Sequence, residues 1–176
     1  MEPTPLEILR VEEVFGGRVF RVAIETFRSA GGRTLTQEIV HHPGAAVVVP
    51  RLDDGRILLV RQYRHAARGT FWEVPAGRLE PPEPPEACAA RELREETGYR
   101  AGRWTPLGGF YPAPGYTSES MHLYLAEGLV REDEKPCPPD EDEEIEVSAF
   151  SLEEVRRRIR SGELQDGKTI IAISRI

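Results

Sequence analysis

The feature that most constrains the fold is a proline block followed at once by a run of helix-forming residues. The block PPEPP (81–85) forbids a helix until the chain has passed it, because proline lacks a backbone N–H and its ring clashes with the preceding turn. Residues 86–97 are then rich in helix formers, and Gly98 is a natural terminator. The sequence therefore predicts one sharply bounded helix over residues 86–97.

Most of the remaining chain carries strand patterns separated by turn residues. Residues 1–42 alternate polar and apolar side chains around two glycine pairs, which predicts two or three antiparallel strands. The turn signal Asp53-Asp54-Gly55 predicts a hairpin between the apolar runs on either side of it. Further strands are expected from the apolar runs at 44–49, 57–60, 71–75, 104–111, 121–127 and 145–150. Ser151 and Glu154 have capping-box spacing and open a helix to about residue 160, and a last helix begins near residue 166 and runs to residue 176.

Charge and composition exclude several classes of partner. The net charge of −7 argues against a nucleic-acid polymer, because proteins that bind one usually carry a basic surface. No stretch approaches the roughly 20 apolar residues that a membrane span needs. The N-terminus lacks the basic region and apolar run of a secretory signal, so a cytoplasmic location is expected.

Cys88 and Cys137 match no zinc or redox spacing and are predicted to be free thiols.

The predicted helix carries a cluster of carboxylates. Glu92, Glu95 and Glu96 fall within one arc of about 100° on a helical wheel, because residues three and four apart share a face. A hard divalent cation such as Mg²⁺ would relieve their mutual repulsion. On these three residues alone, a solvated acidic face paired with neighbouring arginines is the simpler interpretation. A neighbouring, less charged arc is expected to face a sheet; its members are Glu86, Ala89, Ala90, Leu93 and Thr97.

The wider spacing changes that interpretation. Segment 77–99 resembles the Nudix box, in which Gly, five residues, Glu and seven residues precede Arg-Glu-aliphatic-any-Glu-Glu-any-Gly-aliphatic. The matching residues are Gly77, Glu83, Arg91, Glu92, Leu93, Glu95, Glu96 and Gly98. Tyr99 stands where an aliphatic residue is usual. Flanking stretches resemble the ADP-ribose pyrophosphatase branch, namely VRQYR (60–64), WEVPAG (72–77), YPAPGYTSE (111–119) with Pro114, DEDEEIEV (140–147) and GELQDGKT (162–169).

The resemblance implies roles for individual residues. Glu83 and Arg91 would form an ion pair that holds the box loop on the helix, and Gly77 and Gly98 would serve backbone geometry. The implied metal ligands are Glu92, Glu96, the backbone carbonyl of Ala76 and, from the acidic loop, Glu143, with Glu95 beside them. The implied general base is Glu141, with Glu144 as the alternative. The implied substrate contacts are Arg64, Glu73 and Glu119; for Arg64 a surface salt bridge is the competing interpretation.

The resemblance also implies a fold and a reaction. The fold is a Nudix α/β/α sandwich with a mixed sheet, preceded by a small N-terminal antiparallel β-sheet. Residues 1–42 would form a dimerisation element of a homodimer, and residues 43–176 the hydrolase domain. The reaction would be ADP-ribose plus water giving AMP and ribose 5-phosphate, with Mg²⁺ as cofactor, although oxygen ligands do not distinguish Mg²⁺ from Mn²⁺. The alternatives are another substrate, such as GDP-mannose, FAD, NADH or a diadenosine compound, and a Nudix-fold sensor that binds a nucleotide without hydrolysing it.

Overall fold

A computed structural model describes residues 6–132 and 145–176 of the protein. The described chain divides into two compact units. One unit ends at Gly44 and also includes Tyr111–Ser120. The other comprises Ala45–Phe110 and the chain from Met121 onwards.

The first unit is a small antiparallel sheet, as predicted. Its strands β1 (Glu7–Gly16), β2 (Arg21–Arg28) and β3 (Thr34–His41) follow one another in space in the order β1-β2-β3. Segment 111–120 joins this sheet at Val40, whose N–H donates to the Tyr116 carbonyl at 2.8 Å and whose carbonyl accepts from the Ser118 N–H at 3.0 Å. The unit therefore combines two stretches that are far apart in the sequence.

The second unit contains the remaining elements. In chain order these are β4 (Ala45–Pro50), β5 (Ile57–Arg64), β6 (Gly69–Glu73), β7 (Ala76–Arg78), α1 (Pro85–Thr97), β8 (Tyr99–Phe110), β9 (Met121–Arg131), β10 (Glu146–Phe150), α2 (Leu152–Ser161) and α3 (Gly167–Ile173). They form a mixed sheet of order β7-β4-β9-β8, in which β4 and β9 are parallel, and an antiparallel sheet of order β10-β5-β6. Among the described helices, none is long and apolar enough to cross a membrane.

Strand β4 lies at the centre of the second unit because both of its faces are apolar. Ala46 and Val48 face α1 and pack with Ala89 and Leu93 of that helix. Val47 and Val49 face the opposite way, into a core shared with β5, α2 and α3. The mixed sheet is therefore covered by α1 on one face and by the second sheet with α2 and α3 on the other, which agrees with the predicted α/β class.

The helix bounds were predicted closely because each end is set by local chemistry. Helix α1 begins one residue before the prediction, after the N-cap Pro84, and ends before Gly98. The Ser151 hydroxyl accepts the Glu154 N–H at 3.1 Å and caps α2. Helix α3 follows the N-cap Asp166 but ends at Ile173, short of the chain end that was predicted.

The predicted hairpin between β4 and β5 is wrong. The chain does turn at Gly55, where the glycine N–H donates to the Leu52 carbonyl at 2.9 Å. The two strands nevertheless belong to different sheets, and only an isolated bridge joins Arg51 to Ile57. Strand β4 is buried along its whole length and β5 is buried over residues 57–60. Each strand takes its partners from other parts of the chain, β7 and β9 for β4 and β6 and β10 for β5.

Candidate active site

Gly77 allows β7 and α1 to approach closely. A Cβ atom built at Gly77 would overlap the Cδ, Oε1 and Oε2 atoms of Glu92. The helix is held at this distance by Ala89 and Leu93, which are fully buried against the mixed sheet. Any residue larger than glycine at position 77 would therefore have to displace the Glu92 carboxylate.

Gly98 is required for a different reason. Its φ of +75° lies in the left-handed region, and its N–H donates to the Arg94 carbonyl at 2.9 Å, which closes the last turn of α1. A Cβ atom at Gly98 would meet no other atom within 4 Å. Gly77 is therefore needed because there is no room for a side chain, and Gly98 is needed because of its backbone conformation.

Arg91 connects the loop before α1 to the acidic face of the helix. The expected ion pair with Glu83 is present and bidentate, with Nε–Oε1 and Nη2–Oε2 distances of 3.0 Å each. The same guanidinium reaches Glu92 Oε1 at 2.5 Å, Glu95 Oε2 at 3.1 Å and the Arg78 carbonyl at 3.1 Å. The hydrogen bond from Arg91 holds the pKa of Glu83 below its ordinary value. One cation thus ties three carboxylates together.

The acidic face of α1 points partly inward. Glu92 and Glu96 are each 9% exposed, whereas the Glu95 side chain is 36% exposed. The interpretation as a fully solvated acidic face is therefore wrong for two of the three glutamates. Two residues expected to face the sheet, Glu86 and Ala90, are exposed instead. Helix α1 is rotated about its axis so that Glu92 and Glu96 turn towards the interior.

Burial has an electrostatic cost at Glu92. Burial raises the pKa of Glu92, and the Arg91 guanidinium lowers it. The nearby Glu95 and Glu83 carboxylates raise it again, so the pKa of Glu92 is raised overall. The ion pair with Arg91 therefore does not fully compensate the buried charge. A second cation beside Glu92 would favour its ionised form.

The donor set at this place suits a hard divalent cation. The carboxylates of Glu92, Glu95 and Glu96 lie on one face of α1, and Gly77, which follows Ala76 in β7, lies beside the Glu92 carboxylate. Oxygen donors of this kind are the ligands that Mg²⁺ takes in proteins. In residues 6–132 and 145–176, no three His, Cys, Asp or Glu side chains are already grouped to hold a metal ion. The residues fit such a cation by chemistry, with Arg91 at present engaging Glu92 and Glu95.

Cys88 lies beneath this face as a free, fully buried thiol, in agreement with the prediction for it. Its Sγ atom lies 3.4 Å from the Arg78 carbonyl and 3.4 Å from Arg91 Nη2. Burial and the negative charge of Glu92 raise the pKa of Cys88 to about 12. Cys137 lies outside the described residues.

A second polar network joins β5, β6 and α3. Arg64 binds the Glu73 carboxylate through both arms of its fork, with Nε–Oε1 at 2.9 Å and Nη2–Oε2 at 2.6 Å. The Glu73 side chain is 3% exposed, so this pair is not the surface salt bridge that the sequence left open for Arg64. Lys168 of α3 also donates to Glu73 Oε2 and reaches Asp166 Oδ1 at 3.0 Å.

Lys168 has no expected role from the sequence, but the fold brings it to Glu73. The two residues are 95 positions apart, so no local pattern links them. The available signal was compositional, because Lys135 and Lys168 are the only lysines in a chain that otherwise uses arginine. The stretch GELQDGKT, which contains Lys168, resembles the family as a whole and assigns no role to its lysine.

The other expected site residues belong to the first unit or lie outside the described residues. Glu119 belongs to the first unit, where its carboxylate lies 3.7 Å from His42 Nδ1. The implied loop residues Glu141, Glu143 and Glu144 lie outside the described residues. Trp72 and Phe110 pack against the core of the second unit.

Comparison with known proteins places the chain in a family. The profile of the NUDIX domain matches residues 40–170. An ADP-ribose pyrophosphatase of Bacillus subtilis (strain 168) is 42% identical over 163 residues, which span 92% of this chain and 87% of that protein. A methanol dehydrogenase activator of Bacillus methanolicus is 37% identical over 165 residues, which span 94% of this chain and 89% of that protein.

The fold has a close counterpart among solved structures. The crystal structure of an ADP compounds hydrolase superposes with a TM-score of 0.82 over 99% of this chain and 94% of that chain, at 24% sequence identity. Together with the two sheets and three helices described above, this likeness confirms the predicted Nudix architecture. The domain match and the relatives show that the chain belongs to the Nudix family and is a Nudix pyrophosphohydrolase.

Proposed function

We propose that this protein is an Mg²⁺-dependent ADP-ribose pyrophosphatase that converts ADP-ribose and water into AMP and ribose 5-phosphate. One observation carries the proposal: Glu92 and Glu96 are buried side by side on α1, with Glu92 held against Gly77. Burying ionised acidic side chains costs free energy unless a cation or hydrogen-bond donors compensate their charge. The ADP-ribose pyrophosphatase that is 42% identical to this chain supports the choice of substrate.

The carboxylates of α1 would hold the cation. In the proposal Glu92, Glu96 and the Ala76 carbonyl are ligands, and Glu95 lies beside them. The bound cation would neutralise the diphosphate and lower the pKa of a water molecule. Arg91 anchors the cluster through Glu83, so the helix keeps its position on the loop when Arg91 exchanges contacts with Glu92 or Glu95.

The proton of the attacking water needs an acceptor. The proposal assigns this role to Glu141, with Glu144 as the alternative and Glu143 as a further metal ligand, on the resemblance of DEDEEIEV (140–147) to the family. A positioned base typically contributes about 10²–10⁴-fold to a rate. All three candidates lie outside the described residues, so their assignment rests on the resemblance alone.

Arg64 is the proposed contact for the diphosphate. Its side chain is 39% exposed, while the Glu73 carboxylate that orients it is buried. A guanidinium fixed in this way is suited to binding phosphate. Its N–H donors lie in one plane, and its side chain is already ordered before the phosphate binds. Glu119 is the proposed contact for a ribose hydroxyl, again on the resemblance alone.

A substrate panel tests the proposal. ADP-ribose, GDP-mannose, FAD, NADH and diadenosine polyphosphates are incubated with the wild-type protein and Mg²⁺, and kcat/KM and the products are measured. The proposal predicts the highest kcat/KM for ADP-ribose, with AMP and ribose 5-phosphate as products. A higher kcat/KM for another compound refutes the choice of substrate. Binding of ADP-ribose without hydrolysis of any compound favours the sensor instead.

We also propose that the protein is a homodimer that associates through its N-terminal sheet. Strand β1 is exposed along its whole length. Large apolar side chains are nevertheless concentrated in this strand, just before it and in the turn that follows it. Those at least 40% exposed are Leu6, Ile8, Leu9, Val11, Val14, Phe15, Val19 and Phe20. A long, exposed, apolar edge strand normally pairs with another chain. Sedimentation velocity is expected to give the mass of a dimer, and a monomer over the whole concentration range would contradict the proposal.

A further inference from the structure

Lys168 is largely buried although it carries a charge. Its side chain is 12% exposed and lies between the carboxylates of Glu73 and Asp166. A lysine is rarely buried unless it is paired, so the position is held by these two contacts. In this network Glu73 pairs with both Lys168 and Arg64, and Lys168 also pairs with Asp166.

The Glu73 carboxylate is shared by the two cations. Arg64 Nη2 and Lys168 Nζ both donate to the same oxygen, Oε2, while Arg64 Nε donates to Oε1. Burial raises the pKa of Glu73, but the Arg64 hydrogen bond and the charge of Lys168 outweigh it and lower the pKa overall. Glu73 is therefore held ionised and in one orientation from two sides.

Helix α3 fixes the Lys168 end of the network. Asp166 caps the helix by accepting the Thr169 N–H at 3.0 Å. The Thr169 hydroxyl lies 2.5 Å from Asp166 Oδ2 and accepts the Val74 N–H of the chain next to β6 at 2.8 Å. Thr169 is fully buried, so the start of α3 is attached firmly beside Glu73.

We propose that Lys168 is a positioning residue for Arg64, acting through Glu73, and that it sets the affinity of the enzyme for the diphosphate of its substrate. The inference rests on the proposed function, in which Arg64 contacts that diphosphate. Lys168 locks the carboxylate that orients the guanidinium. Its ammonium group also neutralises part of the charge of the Glu73 carboxylate that Arg64 contacts.

A double-mutant cycle tests the inference. KM and kcat for ADP-ribose are measured for the wild type, Lys168→Met, Arg64→Ala and the double variant. Lys168→Met is expected to raise KM about tenfold with kcat within about twofold, a coupling of the size found within one ion-pair network. In the Arg64→Ala background the same substitution is expected to change KM by less than about twofold. Lys168→Arg, which keeps the charge, is expected to restore most of the affinity.

Thr169→Val is the matched structural control. It removes the hydroxyl that attaches α3 to Val74 but leaves the Glu73 ion pairs in place. This variant is expected to lower the melting temperature without raising KM. If it raises KM as much as Lys168→Met does, loss of the α3 attachment explains the effect and the inference is overturned.

The remaining outcomes separate the inference from the proposed function. An equal rise in KM from Lys168→Met with and without Arg64 means that Lys168 does not act through Arg64, which overturns the inference alone. An unchanged KM for Arg64→Ala refutes both the proposed contact of Arg64 and the inference. The Kd of ADP-ribose is also measured for the same four proteins without metal, which tests the coupling by binding as well as by turnover. A wild type that neither hydrolyses nor binds ADP-ribose refutes the proposed function and the positioning role together.

Discussion

The two box glycines provide a matched pair of substitutions, because the structure gives them different reasons to be glycine. Gly77→Ala introduces a Cβ atom where the Glu92 carboxylate lies, so that carboxylate must move and its contact with Arg91 must change. Gly98→Ala meets no atom within 4 Å and is penalised only by its φ of +75°. One substitution therefore disturbs the candidate active site, and the other disturbs only the end of the helix.

The stability costs of the two substitutions are expected to be similar. Overpacking a close contact typically costs about 1–3 kcal/mol, which applies to Gly77→Ala. Forcing a side chain into the left-handed region costs about 1–2 kcal/mol, which applies to Gly98→Ala. For a chain of this length each kcal/mol lowers the melting temperature by about 2–4 °C, so both variants should melt within roughly 12 °C of the wild type.

The activities are expected to differ sharply. Misplacing a functional group by about 1 Å can cost about 10²-fold, so Gly77→Ala should lose at least that much kcat/KM for ADP-ribose. Gly98→Ala should stay within about twofold of the wild type, because the carboxylates keep their positions. Melting curves and initial rates with Mg²⁺ at 25 °C, where all three proteins are folded, measure both quantities. Near wild-type activity of Gly77→Ala, or an equal loss in both variants, would refute the reasoning.

Two further predictions follow from groups whose pKa values are shifted. The pKa of Glu73 is lowered in the folded state, so its stabilisation is present above the unfolded value of about 4.3 and is lost as the pH falls through the folded value. The melting temperature of Glu73→Gln should therefore lie well below that of the wild type at pH 7 and approach it in acid; a gap that stays constant down to pH 3 would contradict this. Cys88, buried with its pKa raised to about 12, should react with iodoacetamide at pH 8 only after unfolding, as measured by mass spectrometry in a Cys137→Ser background. Labelling of the native protein at the rate of a free thiol would show that Cys88 is accessible.

The parts of the fold that were predictable are those fixed by local chemistry. The bounds of α1 follow from the prolines before it and from Gly98 after it, and the N-terminus of α2 follows from Ser151. The pairing of β4 was not predictable, because a strand that is apolar on both faces does not specify which neighbours it takes. The predicted hairpin failed for this reason.

In the candidate site, the residues of the box were predictable, but their burial and their long-range contacts were not. The resemblance to the Nudix box implied the carboxylates and the Glu83–Arg91 ion pair, and the structure contains that pair. A helical wheel fixes which side chains share a face but not how far that face turns towards a sheet, so the burial of Glu92 and Glu96 was not anticipated. The contact of Lys168 with Glu73 depends on the docking of α3, which no local pattern encodes.

In the proposed function the carboxylates on the inward face of α1 hold the metal ion that hydrolysis requires. The most direct test is the Mg²⁺-dependent conversion of ADP-ribose into AMP and ribose 5-phosphate by the wild type, Glu96→Gln and Glu86→Gln. Glu86 is a matched control because it lies on the same helix but is exposed. We expect Glu86→Gln to match the wild type and Glu96→Gln to lose at least about 10²-fold in kcat while remaining folded. A folded Glu96→Gln variant that keeps most of the wild-type rate would contradict the account.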